Sequence, residues 1–522
     1  MSTVQSAGEV QATGGFSRML LAMYGLLSVA TLSVVLWFCH GSFTYALDDP
    51  YIHLALAQRL LHGSYTINFG ESASPASSIL WPYLLVPFST SAVRIWIPLL
   101  YNIVAGAGCC FLLGRFFDRW NVLVRKDGKS PFLYRLTAAF FIVLALNLIG
   151  LSFVGMEHTL QFLLAIACAY GVMEAYAGRP MPNFVLVAAV LAPAIRYEDL
   201  AFTLAISLIC WFQQKRASAI AIFILGAAPL VLFGLYLRSK GLPFLPTSVL
   251  VKGATATATT NMNRSMTSNI MQIIKGNLES LIHRGRFLIS LVILAAAYFR
   301  VRHDSTKRNA ILAGTAAIVL LLLLGPQGWF YRYDAAVSGF CLLLCMSLIA
   351  QWRRTAWILI LPIIWCVTYA EVVGRVPYAA RSVYLQQMQM HRFEEMFYHK
   401  PVAVNDLGCV AFDHDPNIYI LDLVGLGSFE TATHDKTAAF LRSVTREHNV
   451  KFLMIYTKWY PDIPKEWIVA GHIRNLLIAH RTTAETAVDV VATTPEEAEI
   501  VREKLEQFSR VVPEGVRIEI VR

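Results

Sequence analysis

The chain has 522 residues, 56% of them hydrophobic and only 15% charged, with a mean hydropathy of +0.53; a soluble domain carries roughly a quarter charged residues. That balance excludes an ordinary soluble enzyme. Apolar residues gather in repeated runs of about 17 to 23, the length that a helix rising ~1.5 Å per residue needs to cross ~30 Å of hydrocarbon, so the chain reads as a polytopic membrane protein. The net charge of +10 does not indicate a nucleic-acid partner, because the basic residues sit mostly between apolar runs and do not cluster on one face of a soluble domain. Eight of the nine cysteines lie in or beside those runs and only Cys409 falls in the polar C-terminal part. No disulfide framework or CxxC metal motif is encoded.

In chain order, residues 1–16 are rich in Gly, Ser and Ala and read as a disordered N-terminus. The run from Met19 to Cys39 is too long for a cleaved signal peptide and reads as a signal anchor. The stretch from Ala76 to Phe88 is apolar but too short to cross, and is expected to be an interfacial or re-entrant helix with Trp81 and Tyr83 at headgroup depth. Further spans are expected near 92–114, 136–153, 159–177, 183–195, 200–212, 217–237, 287–300, 309–325, 334–350 and 355–372, about eleven in all.

Placing the N-terminus in the cytoplasm puts Arg115, Arg119, Arg125, Lys126, Lys129, Arg135, Lys215, Arg216, Arg300, Arg302, Lys307, Arg308, Arg353 and Arg354 inside. The opposite orientation would export all of them. The loop at 238–286 carries seven Lys and Arg to the outside, which its length allows, since long loops translocate largely regardless of charge. An odd span count places residues 373–522 outside. There, strand-like runs at 401–405, 418–424, 451–457, 486–492 and 516–521 and helical stretches near 434–447 and 494–508 indicate a small extracytoplasmic α/β domain. The organisation expected is therefore a cytoplasmic tail at 1–16, a helical membrane domain at 17–372 with its first external loop at 40–91, and an outer domain at 373–522.

With this topology the outer face collects Asp48 and Asp49, Glu157 and His158, Arg196 with Glu198 and Asp199, Lys252, and Arg332 with Tyr333 and Asp334. Ionisable groups at membrane depth are costly and are functional candidates by default. Each also has a structural reading. Asp49 before Pro50 suits a helix N-cap, leaving Asp48 without a capping duty. Glu157 and His158 begin a span, where an acidic residue suits the helix dipole. Arg196 can pair with Glu198 or Asp199, Lys252 can be a solvated loop lysine, and Arg332 can snorkel beside Trp329 and Tyr331. Asp413, His414 and Asp415 form a DxD pattern, but Pro416 and Asn417 follow it as they would a turn.

The run Leu47, Asp48, Asp49, Pro50, Tyr51, Ile52, His53 through Arg59, Leu60, Leu61, His62, Gly63, then Asn68, Phe69, Gly70, Glu71, Ser74 and Pro75 resembles the first external loop of GT-C glycosyltransferases. Further markers follow in order: Gly155, Met156, Glu157, His158; Arg196, Tyr197, Glu198; Leu245, Pro246, Thr247 with Lys252; Arg332, Tyr333. In the tail, Asn405 to Gly408 and Leu421 to Leu426 resemble the periplasmic domain of bacterial members, of the protein mannosyltransferase and aminoarabinose transferase type. The chain departs from the pattern at Tyr197, where Pro is common, and at Thr247, where Asn would follow the Pro.

The resemblance implies a polytopic GT-C-like fold in a bacterial inner membrane, its active site and C-terminal domain periplasmic. It implies an inverting transfer of sugar from a polyprenyl phosphate to a hydroxyl of an envelope glycan, glycolipid or protein. Asp48 is the expected general base, with Asp49 the alternative. Glu157 is expected to orient the acceptor, or to hold a divalent cation with Asp48, although no metal is predicted. His158, Arg196, Glu198, Lys252, Arg332 and Tyr333 are expected to bind substrate, the cations meeting the lipid phosphate. The competing readings are a transporter or flippase of lipid-linked intermediates and a membrane scaffold. A transporter predicts paired half-repeats, which this sequence lacks.

Overall fold

The computed structural model describes residues 15–125, 128, 130–253, 266–282, 284–325, 329–352, 356–477 and 482–522. Nearly all of the expected disordered tail, and Lys126, Lys129, Arg353 and Arg354 from the topology argument, lie outside the described residues.

Among the described residues, eight helices are long and apolar enough to cross a membrane: Gly15–Phe38, Arg94–Arg119, Phe132–Val154, His158–Tyr176, Arg216–Ser239, Ser305–Leu324, Ala335–Trp352 and Trp357–Tyr398. A ninth follows if Ile274–Leu281 and Gly285–Val301 form one bent span. The two remaining runs, Asn183–Ile195 and Leu200–Phe212, are helices of 13 residues each, about 20 Å long and so short of the hydrocarbon thickness. The chain is a multi-pass membrane protein. Its innermost helix, His158–Tyr176, packs against Arg94–Arg119, Asn183–Ile195, Ser305–Leu324 and Ala335–Trp352, which is why its sequence is apolar on every side.

Residues 76–88 do not cross: they form a helix at Leu80–Leu85 and a 3-10 turn at Val86–Phe88. Tyr83 is exposed, whereas Trp81, expected beside it at headgroup depth, is fully buried, its ring against Tyr101. The indole has gone inward because the short helix packs against Asp49–Leu60 and Asn183–Ile195.

The final long helix, Ile360–Leu385, runs past the expected boundary at 372 and leads through Gln387–Phe393 and a π-helical turn, Glu394–Tyr398, into a mixed sheet. Its strands are β1 (Val402–Val404), β2 (Ile420–Asp422), β3 (Phe452–Ile455), β4 (Ile468–Asn475), β5 (Ala487–Ala492) and β6 (Val516–Ile520), in the order β2-β1-β3-β5-β4-β6. β1 is parallel to both neighbours, and the remaining pairs are antiparallel. The helices Ala438–Glu447 and Pro495–Ser509 begin where threonine caps them: Thr437 accepts from Phe440 N–H and Thr494 from Glu497 N–H. β4 is the strand that the alternation pattern misses, because a register shift between Val469 and Gly471 breaks the period.

Candidate functional site

The segment before the helix Asp49–Leu60 is tied to Leu148–Val154, which leads into the innermost helix, and to the start of Arg94–Arg119. Ala46 N–H donates to Phe153 C=O at 3.0 Å, and Tyr45 bridges Ile95 C=O at 2.6 Å and Leu99 N–H at 3.0 Å through its hydroxyl. Gly155 adopts φ +74°, and a Cβ there would stand 2.4 Å from the Tyr45 ring, so glycine allows the turn that delivers Glu157 to the N-terminus of His158–Tyr176. Asp48 and Asp49 reach the same region from the start of the helix Asp49–Leu60.

The two aspartates then part. Asp49 accepts from Arg332 Nη1 at 3.1 Å. Asp48 turns to the C-terminal domain, where its two oxygens accept the backbone N–H groups of Gly408 and Cys409 at 2.7 Å each, at the start of the turn Gly408–Ala411. The assignment of Asp49 as N-cap is thereby corrected: Asp49 is the first helical residue, Asp48 holds the cap position without a side-chain cap bond, and what Asp48 caps is a turn of another domain. Behind it, Asp406 accepts from Gln387 Nε2 and the Tyr456 hydroxyl, both at 2.8 Å. Burial and the facing Asp406 push the Asp48 carboxyl upward, against the pull of the Cys409 and Gly408 N–H groups.

Glu157 is fully buried. One of its oxygens accepts from Arg196 Nη1 at 2.9 Å and Ser77 Oγ at 3.0 Å, and the other lies 3.8 Å from His53 Nε2. Arg196 also reaches Glu198 through Nε at 2.9 Å. The local pair foreseen for Arg196 therefore exists, and Glu157 adds a second carboxylate to it. The Tyr333 ring joins the two halves: the Arg196 guanidinium lies 5.0 Å from its centroid, that of Arg332 4.9 Å, and the His158 ring 5.2 Å edge-on. Arg332 Nη2 also donates to the Tyr333 hydroxyl at 3.1 Å, while its buried Nε has no hydrogen-bond partner among the described residues. His158 Nδ1 lies 3.2 Å from Gln161 Oε1, which can only accept; Nδ1 is therefore the protonated nitrogen, and the lone pair of Nε2 is buried without a partner among the described residues.

Seven of the nine candidate residues thus form one chain of contacts, from Glu198 through Arg196, Glu157, Tyr333 and His158 to Arg332 and Asp49; the eighth, Asp48, adjoins it only as the neighbour of Asp49 in the chain and faces Gly408 and Cys409 instead. The ninth, Lys252, is placed on the helix Thr247–Gly253 and is otherwise outside the described residues. That helix starts against the Ser74 and Pro75 motif: Thr247 N–H donates to Ser74 Oγ at 2.7 Å and Ser248 Oγ to Ala76 C=O at 2.6 Å.

Several participants have no counterpart in the expectations. His53 stands beside Glu157, one turn after Asp49, a spacing that was visible in the sequence. Asp406 stands behind Asp48, which no local pattern encodes. Residues of the helix Asp49–Leu60, of the segment after it and of the turn Arg94–Trp96 that had no assigned role dock the C-terminal domain. Asn68 exchanges both amide bonds with Ile420, at 2.8 and 3.0 Å. Glu71 accepts from the Tyr419 hydroxyl at 3.0 Å, Arg59 Nη2 donates to His414 C=O at 3.3 Å, and Arg94 and Gln58 hold Asp413.

Residues 375–492 match a family model described as Domain of unknown function (DUF8728). No curated protein matches the chain. Among solved structures the chain is similar to the oligosaccharyltransferase of Archaeoglobus fulgidus in its apo form, at 11% identity and a TM-score of 0.47, over 88% of this chain and 73% of that one. It is similar to that protein in complex with Zn and sulfate at 14% identity and a TM-score of 0.45, over 96% and 74%. It is also similar to the archaeal oligosaccharyltransferase AglB from Archaeoglobus fulgidus in complex with an inhibitory peptide and a dolichol-phosphate, at 12% identity and a TM-score of 0.44, over 96% and 75%.

Proposed function

We propose that the chain is a membrane glycosyltransferase that moves a sugar, with inversion, from a polyprenyl phosphate to a hydroxyl of a cell-envelope glycan, glycolipid or protein on the periplasmic side of a bacterial inner membrane. The observation that carries this reading is the division of labour between neighbours: Asp48 is a half-buried carboxylate of raised basicity, held by two backbone N–H groups, and Asp49, one residue on, holds a buried guanidinium.

An alcohol is a poor nucleophile at neutral pH, and a base with a proton affinity near that of the medium assists it best. Asp48 has that character and is oriented by two N–H groups that leave further lone pairs open, since a carboxylate has about four acceptor sites. Asp49 is the less available carboxylate because Arg332 holds it. As the acceptor oxygen bonds to the anomeric carbon, its proton passes to Asp48 and the bond to the phosphate oxygen breaks, leaving the electron pair on the lipid phosphate. Arg332 meets that charge. It is the better phosphate ligand of the two arginines, because Arg196 is already held between Glu157 and Glu198 while Arg332 Nε is uncommitted. Lys252, carried on the helix beside the Ser74 motif, supplies the second cation. Glu157, His158, Glu198 and Tyr333 form the wall that orients the acceptor and keeps the guanidiniums apart.

The test is an assay of purified protein against a panel of polyprenyl-phosphate sugars, read as release of free polyprenyl phosphate. Release with one donor class, lowered at least about tenfold in Arg332→Gln, supports the reading. No release from any donor, with movement of lipid-linked sugar across proteoliposome membranes, would replace it with the flippase.

A further inference from the structure

The Asp413, His414, Asp415 sequence stands apart from the proposed reaction, and its middle residue is buried in an unusual setting. His414 Nε2 lies 2.9 Å from Ile418 C=O. A carbonyl can only accept, so Nε2 carries a proton and the free lone pair of the neutral ring is at Nδ1. That nitrogen faces Glu394 Oε2 at 2.9 Å and Glu395 Oε1 at 3.0 Å. Two consecutive residues of one helix seldom reach a single atom; here the π-helical turn at Glu394–Tyr398 brings both to it.

Three electron-pair donors therefore converge, all within 4.8 Å of one another, at a place where His414 and Glu394 are almost wholly excluded from solvent. A cation must stand among them. A proton on Nδ1 satisfies one oxygen and leaves the rest of the cluster short, and Glu394 Oε1 is buried with no hydrogen-bond partner among the described residues. On the helix Gln387–Phe393 that leads into this turn, His391 Nδ1 is also buried and unpartnered among the described residues.

We propose that Glu394, Glu395 and His414 bind a zinc ion, with His391 placed to approach as a fourth ligand. The donor set is one imidazole nitrogen and two carboxylates, which zinc accepts in tetrahedral sites; Ca²⁺ would require six to eight oxygens. Ligand atoms around tetrahedral zinc with bonds of ~2.0 Å stand ~3.3 Å apart, so the two distances from His414 Nδ1 to the carboxylate oxygens need to open by only a few tenths of an ångström. The supporting shell has the form that orients metal-bound histidine, with the remote N–H on a backbone carbonyl, and Asp415 N–H donates to Glu395 Oε1 at 3.2 Å. The ion would be structural. It would pin the Asp413 to Asp415 turn, whose Asp413 holds Arg94 and whose His414 carbonyl holds Arg59, and so fix the C-terminal domain against the external loop that carries Asp48.

Full-length protein in detergent, stripped with chelator and dialysed against ZnCl₂, tests this. The expected result is one retained Zn²⁺ per chain by elemental analysis and a raised melting temperature on re-addition. In Glu395→Gln, which keeps shape and spares the fully buried pair, affinity should fall more than about tenfold, the lower end of what losing even a supporting partner costs. His391→Ala should weaken binding less than Glu395→Gln. No retained zinc in folded wild-type protein, or equal retention in Glu395→Gln, would overturn the site and leave His414 as an imidazolium between two carboxylates.

Discussion

Asp48 Oδ2 accepts the Gly408 backbone N–H at 2.7 Å across 360 residues of chain, so the proposed base and the C-terminal domain hold each other in place. Gly408 is needed for that approach. A Cβ on it would stand 2.0 Å from the Asp48 backbone oxygen and 2.6 Å from its carboxylate, and backbone cannot swing aside as a flexible side chain can. Gly408→Ala should expel Asp48 and lower transfer at least about tenfold, since a base displaced by about 1 Å loses its alignment. Gly374→Ala, in a helix with nothing within 4 Å, is the control and should be neutral or stabilising by up to about 1 kcal/mol. Turnover and thermal unfolding of both variants provide the comparison.

The acidity of Asp48 gives a pH dependence with opposite signs for folding and catalysis. Burial first, and Asp406 second, raise it to about 7, from roughly 3.9 in an unfolded chain. The fold therefore favours the protonated form: that contribution is complete below the unfolded value and is lost as pH rises through about 7. Catalysis needs the ionised form, so log kcat should fall by about one per pH unit below about pH 7. Asp406→Asn removes a like charge and should move this acid limb to lower pH. A profile unchanged by Asp406→Asn would mean that another group titrates.

The two arginines on Tyr333 should fail differently. Arg332→Gln removes a charge-assisted contact to the phosphate, worth roughly 1.5 to 3 kcal/mol, and should cost about tenfold to more than a hundredfold in donor affinity and turnover together, with folding retained. Arg332→Lys should recover only part, since an ammonium lacks the planar fork. Arg196→Gln instead strands the fully buried Glu157, and breaking a buried pair costs about 3 to 5 kcal/mol; its first symptom should be lost stability. Kinetics with a short-chain donor and thermal unfolding separate the two.

Much of the helical membrane architecture was legible because hydrocarbon thickness sets the length of an apolar run locally along the chain. Five of the six strands were visible for a similar reason, as compact apolar runs, and β4 escaped where its bulge breaks the alternation. The candidate residues could be named from the sequence, but their partnerships could not. The doublet at Asp48 and Asp49 marks a special loop, yet nothing near it announces that one carboxylate belongs to Arg332 and the other to Gly408. Long-range pairing of this kind is chosen by packing, as with Asn68, whose amide matches a strand edge 352 residues away.

That Asn68 pairing is testable by itself. The Asn68 amide satisfies both backbone groups of Ile420 inside the interface, and Asn68→Ala would leave buried donors and acceptors open at about 1 to 3 kcal/mol each. Asp413→Asn, which weakens a half-exposed ion pair with Arg94, should cost no more than about 1 kcal/mol. Limited proteolysis of the C-terminal domain should accelerate strongly in the first variant and little in the second.

The most direct test of the account is single-turnover transfer by Asp48→Asn at matched donor occupancy, with Asp49→Asn alongside. Asn keeps the size of the side chain and one acceptor oxygen for the turn at Gly408 but cannot take a proton. Loss of a general base costs roughly a hundredfold or more; Asp48→Asn should fall by that much with donor binding preserved, and Asp49→Asn should fall less and show weakened donor binding through Arg332. Near-normal turnover in Asp48→Asn, with Asp49→Asn inactive, would contradict the assignment and move the base to Asp49.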